Sequence, residues 1–114
     1  MSISFKGFNE QVLTFNTSAE LNAGTLVKMS GSGTVAPCAS GDKIMGVVLS
    51  CRNNVASVQV GGYISLPYSG TAPAPGYCGI CAADSTRIKT DNSAGKLLAV
   101  LENDTTASTA GILL

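Results

Sequence analysis

The chain has 114 residues, with seven Lys and Arg against seven Asp and Glu, no His, no Trp, and only 12% charged residues. The missing histidine excludes a Ser-His-Asp triad, a Cys-His pair, a histidine metal ligand and an imidazole general base. Balanced charge and a pI near 6.1 leave no basic footprint for nucleic acid or anionic lipid, and the length suits one domain with one core.

Thirteen Gly, four Pro and many Ser and Thr work against long helices. Short apolar runs set between turn residues predict an all-β chain. The expected architecture is a small β-barrel or β-clip-like sandwich built from two similar halves, with no substantial helix. In chain order, the first predicted strands are residues 2–6 and 10–16, within a segment, residues 1–23, that holds all three phenylalanines, Phe5, Phe8 and Phe15. Strands 25–30 and 33–36 follow, joined by Ser30-Gly31-Ser32-Gly33. A longer strand covers 43–51, and after Arg52-Asn53-Asn54 come strands 55–60 and 62–66. Here Val58, Val60, Ile64 and Leu66 occupy even positions, the period of two that a half-buried strand needs.

The connector from Leu66 to Tyr77 carries three of the four prolines and reads as a stiff, extended loop. Beyond it lie predicted strands 77–82, 86–90, 96–103 and 109–114. Ala83-Asp84-Ser85-Thr86 is the one helix-like stretch and reads better as a turn.

Residues 1–17 are expected to form an N-terminal arm or first strands, and residues 18–114 a single β domain with pseudo-repeats 24–60 and 76–114. Gly24 opens one repeat and Gly76 the other. Val35 pairs with Ile88, Lys43 with Lys96, Ile44 with Leu97 and Val47 with Val100, all at an offset of 53. Val58 and Val60 pair with Ile112 and Leu114 at an offset of 54. A duplication would let two similar β units share one core.

The longest apolar runs, Ile44–Leu49 and Leu97–Leu101, fall far below the roughly 18 residues of a membrane-spanning helix. The N-terminal segment lacks an apolar h-region, so neither export nor membrane insertion is expected, and a reducing, intracellular origin follows.

Four cysteines, Cys38, Cys51, Cys78 and Cys81, raise the question of metal or redox chemistry. On a strand, positions 78 and 81 point to opposite faces and do not converge on one ion. A thioredoxin-like site needs a helix start after the first cysteine, which Gly79 and Ile80 do not supply. Buried free thiols are the preferred reading, ahead of a disulfide or a metal site. Glu102 and Asp104 would share a strand face, but no cleft is announced. Asp42, Asp84, Asp91 and Asp104 stand beside turn formers and read as turn residues. No catalytic residue, cofactor or metal is assigned. The aromatics are candidate contact residues instead: Tyr63, Tyr68 and Tyr77 around the Pro-rich loop, and Phe8 with Phe5 in the terminal segment.

The strings Leu21-Asn22-Ala23-Gly24-Thr25-Leu26-Val27-Lys28, Gly46-Val47-Val48-Leu49, Val58-Gln59-Val60-Gly61-Gly62-Tyr63, Pro75-Gly76 and Gly95-Lys96-Leu97-Leu98-Ala99-Val100-Leu101 together resemble tailed-phage capsid decoration (cement) proteins. The resemblance covers roughly residues 18–114, and its motifs are short. It implies a non-enzymatic structural protein, often a homotrimer, that binds the outer surface of the major capsid protein shell and reinforces it. The location implied is the virion, after synthesis in the host cytoplasm, with no nucleic acid or membrane partner. Some members add an N-terminal arm to sheets of the capsid protein, which makes Ile3, Phe5 and Phe8 the expected capsid contacts.

Two other readings stand beside this one. The first is a ligand- or glycan-binding β module that stacks sugars on Tyr63, Tyr68 and Tyr77. The second is a small enzyme with Cys78 or Cys81 as nucleophile.

Overall fold

A computed structural model of the chain describes residues 11–93 and 95–114. Among them are ten strands and no helix: β1 Gln11–Thr17, β2 Leu26–Gly31, β3 Thr34–Pro37, β4 Gly46–Arg52, β5 Val55–Gly61, β6 Tyr63–Pro67, β7 Gly76–Ala82, β8 Ile88–Thr90, β9 Lys96–Asp104 and β10 Thr109–Leu113. The fold is an all-β pair of units, as the turn spacing led us to expect. The predicted strand 2–6 lies outside the described residues. Gln11–Thr17 is an integral strand, paired along its length with β5.

The first five strands close into a barrel in the order β1-β3-β2-β4-β5. β1 completes it by pairing antiparallel to β5 and parallel to β3 through Asn16–Thr34 and Thr17–Val35. The second five form a sheet in the order β6-β10-β9-β7-β8. Reading β6 for β1, β7 for β2 and so on to β10 for β5, the two orders are the same. Even the parallel closure has a counterpart, a single bridge between Tyr68 and Ile88 backed by the Ser69 N–H donating to the Ile88 carbonyl at 2.8 Å.

Register refines the correspondence between the halves. Val48 faces Val58 and Val100 faces Ile112, and each ladder then slips by one residue. The extra residues are Leu49 and Leu101, an offset of 52 in this strand. The equivalent of Val47 is therefore Ala99, and the offset of 53 that matches Val47 with Val100 is one residue too long. A slip of one exchanges the two faces of a strand, so the difference decides which side chains are buried.

Two predicted strands are shorter than their sequence runs. The strand expected at 43–51 begins at Gly46, because the segment before it is drawn to the second half: the Gly41 N–H donates to the Ala82 carbonyl at 2.8 Å, and the Ala82 N–H to the Asp42 carbonyl at 2.9 Å. The strand expected at 86–90 begins at Ile88. Asp84 Oδ1 accepts the Thr86 and Arg87 N–H groups at 2.9 and 2.8 Å, holding those residues in a turn. The β4–β5 connection is a two-residue turn with Asn53 and Asn54 at φ 52° and 59°, the left-handed pair that twisted hairpins favour.

Two clusters form the core. Val27, Val35, Val48, Ala56 and Val58 fill the barrel interior, with half-buried Phe15 against them. These are small, mostly branched side chains that suit a narrow barrel. The second cluster joins the halves: Leu26, Cys38, Ile44 and Val47 pack with Leu66, Ile80, Ile88 and Ile112. The outward face of the barrel thus completes the inner core of the second sheet. At the same joint the Leu26 N–H donates to the Ser85 carbonyl at 2.7 Å, and Lys28 pairs with Asp42 at 2.7 Å.

Two predictions follow from this joint. Leu26, fully buried, fills the seam between the halves, so Leu26→Ala should cost about 2–5 kcal/mol. Urea unfolding followed by probes in each half should still give one shared transition. Asp84 orders the turn that carries the Ser85 carbonyl, and the Thr86 N–H, with the Arg87 side chain and N–H, holds its carboxyl below the usual 3.8. A carboxyl depressed on folding stabilises above its unfolded pKa and loses that contribution as pH falls through the folded one. Asp84→Asn should therefore lower the thermal midpoint at neutral pH. The gap to the parent should close only on acidification well below pH 3.8.

Candidate interaction surface

The paired registers define one row of outward side chains on each half. On the barrel the row is Leu26–Val47–Gln59–Val12, each member directly opposite the next on neighbouring strands. Its counterpart on the second sheet is Tyr77–Ala99–Leu113–Tyr63. Three members of the first row are covered: Leu26, Val47 and Gln59 are buried while Val12 at its end is 44% exposed, and the Gln59 Nε2 donates to the carbonyls of Gly61 and Tyr63 at 3.1 and 2.9 Å.

The second row is open at its β7 end, while Ala99, Leu113 and Tyr63 are half-buried. Tyr77 is 79% exposed, Leu97 beside it 67%, and the bulged Leu101 39%. Monomeric proteins rarely display contiguous apolar groups of this size without a use for them.

One end of this face is fixed by a glycine. A Cβ on Gly111 would lie 2.6 Å from the Tyr63 hydroxyl oxygen, so the bare backbone lets the ring lie flat along β10. The Tyr63 hydroxyl donates to Glu102 Oε1 at 2.7 Å. Desolvation, with that acceptor second, pushes the phenol up to about 12. Tyr63 is thereby held in place as a wall of the surface.

The three tyrosines do not converge. Tyr63 and Tyr77 share the outer face at opposite ends of one row, whereas Tyr68 packs against the joint core. Ile3, Phe5 and Phe8 lie outside the described residues. Half-buried Phe15 packs against the barrel's interior cluster.

All four cysteines are free thiols. Cys78 lies in the joint core, and Cys81, on the opposite face of β7, has its Sγ 3.9 Å from Asp91 Oδ2. Burial pushes the Cys81 thiol up, with Asp91 adding to the shift and Lys89 opposing it. Cys38 is pushed up to about 11, mainly by burial and then by Asp42. Both shifts disfavour the thiolate a nucleophile needs. No group of three His, Cys, Asp or Glu among the described residues is placed to hold a metal ion. Glu102 and Asp104 line a polar cleft of about 390 Å³ with Ser65 and Thr109. An apolar cleft of about 360 Å³ between the halves is lined by Val47, Leu49, Ile64, Leu66 and Pro67.

No family model and no curated protein matches the chain.

The exposed leucines are the residues that sequence reasoning passed over. Leu97-Leu98-Ala99-Val100-Leu101 is apolar on both faces of its strand, the pattern of a strand covered on both sides. Only one side is covered within this chain.

Thiol accessibility gives a direct check. Cys51, the one cysteine that is not fully buried, should react first with an aromatic disulfide reagent at pH 8. Cys38 and Cys81 should react only on unfolding. A native protein that titrates all four thiols rapidly would contradict this order.

Proposed function

We propose that this chain is a structural protein that binds the outer surface of a tailed-phage capsid as a decoration protein and stabilises the shell. In this reading it acts as a homotrimer on the major capsid protein, in the virion, and performs no catalysis. The observation that carries the reading is the exposed apolar group of Tyr77, Leu97 and Leu101 on the second sheet of an all-β body with only 12% charged residues. Such a surface loses little electrostatic solvation on burial and gains from each apolar side chain removed from water, about 1.5–3 kcal/mol for a large one. Repeated copies multiply weak contacts, so modest affinity per copy suffices on a lattice of sites.

The family-like strings support it from a second direction. Gly24 and Gly76, at φ 91° and 109°, stand before β2 and at the start of β7. Gly46–Leu49 falls on β4 and Lys96–Leu101, just after Gly95, on β9, the matching strands of the two halves.

The test is co-sedimentation with capsids stripped of decoration. Saturable binding, with a raised temperature of shell disruption, is the expected result. A folded chain that stays in the supernatant at every capsid concentration would end this reading.

A further inference from the structure

Along most of its length β6 is hydrogen-bonded on one side only. Among the described residues it pairs with β10 from Tyr63 to Pro67, and just past its end comes the single Tyr68–Ile88 bridge. The hydrogen bonds fix which groups face the free edge. The Leu114 N–H donates to the Gly62 carbonyl and the Tyr68 N–H to the Ser108 carbonyl, both at 3.0 Å, so the even positions serve β10. The odd positions turn the other way. The Tyr63 carbonyl accepts the Gln59 Nε2 at 2.9 Å, and the Ser69 N–H reaches the Ile88 carbonyl. Between them stands exposed Ser65, whose N–H and C=O face the same edge by alternation. No described residue hydrogen-bonds to either.

This edge borders the apolar cleft between the halves. Ile64, Ser65, Leu66 and Pro67 line one wall, and Val47 with Leu49 the other. An unpaired edge beside an apolar slot is where an extended peptide adds as a further strand. Its main chain takes the free N–H and C=O groups, and its alternate side chains fill the slot. The cleft of about 360 Å³ has room for two side chains, since roughly 150 Å³ admits a benzene ring.

The chain itself holds a segment with the matching pattern. Ser2-Ile3-Ser4-Phe5-Lys6 alternates polar and apolar residues, and it precedes the described part of the fold. Where it joins that fold sets its reach. Gln11 stands opposite Gly61, and Ser65 lies about 13 Å from Gly61 along the strand. Residues 7–10, fully extended, bridge up to about 17 Å from Gln11 to Lys6. We infer that residues 2–6 add as a strand to the free edge of β6, with Ile3 and Phe5 in the cleft and Ser2, Ser4 and Lys6 facing water. The tether makes this docking intramolecular, with an effective concentration on the order of millimolar, ahead of a peptide supplied by another molecule. Ile3 and Phe5 thus have a seat within their own chain, in place of the capsid contact that the resemblance implies for them. The outer face at Tyr77, Leu97 and Leu101 stays uncovered, so the capsid reading and this inference stand or fall separately.

Amide hydrogen exchange on the full chain reads Ser65 directly. Its amide should be protected although the residue is exposed. Ile3→Ser combined with Phe5→Ser should speed exchange at Ser65 at least about tenfold. Amides of β5, which is paired on both sides, should keep their protection and so show that the variant folds. A wild-type Ser65 amide that exchanges at the free-peptide rate would overturn the inference, as would one indifferent to the double substitution. A photoreactive benzophenone side chain in place of Phe5 locates the seat. It should cross-link to β4 or β6, and a mixture of isotopically light and heavy chains should give no mixed products. Mixed products would place the segment on a second copy, and links to Tyr77 or Leu97 would place it on the outer face. Either result would also overturn the inference.

Discussion

The whole molecule depends on the need to cover the second face of a strand that is apolar on both. A small barrel buries the inward side chains of β2 and β4 by closing on itself, but Leu26 and Val47 point outward. Left in water, those two side chains would forgo about 1.5–3 kcal/mol apiece. The second sheet has the complementary need, an inner core with one side unsealed. Each unit completes the other, and the loop contacts at Gly41, Asp42, Ala82 and Ser85 fix the angle at which they meet.

The arrangement is asymmetric although its parts are alike. Two copies of one strand order could have met through the same patch on each. Instead the outside of the first meets the inside of the second, and the barrel has the stronger closure. Two residue pairs join β1 to β3, whereas Tyr68 alone bridges to β8. The clear division between a covered and an open face explains why the same residue types are core in one half and surface in the other.

Much of this was legible in the sequence. Gly, Pro, Asn and Asp punctuate the chain at nearly every strand boundary, so the all-β class and most strand limits follow from turn chemistry. The opposed faces of Cys78 and Cys81 follow from alternation alone. The one-residue error in matching Val47 to Val100 arose because a β-bulge adds a residue without leaving any mark in composition. Strands 43–51 and 86–90 were read too long for a related reason: Lys43 and Ile44 look like strand residues, yet their segment is claimed by contacts with Ala82, nearly forty positions away. The candidate surface was least legible. Tyr63 and Tyr77 stand on it, but Leu97 and Leu101 look the same in sequence as Leu98 and Val100, which are buried. Only the pairing of β9 with β7 and β10 separates them.

The lone Tyr68–Ile88 bridge has a bearing on motion as well as on architecture. Parting β6 from β8 gives up one bridge and the Ser69 hydrogen bond, while opening the barrel breaks a longer ladder. Local opening therefore concentrates in the second half, at the low end of the molecule's free-energy spectrum. The half that displays Tyr77 and Leu97 is then also the half that can adjust its curvature. A surface that yields slightly can settle onto neighbours that are not geometrically identical, while the closed barrel beside it keeps the overall shape.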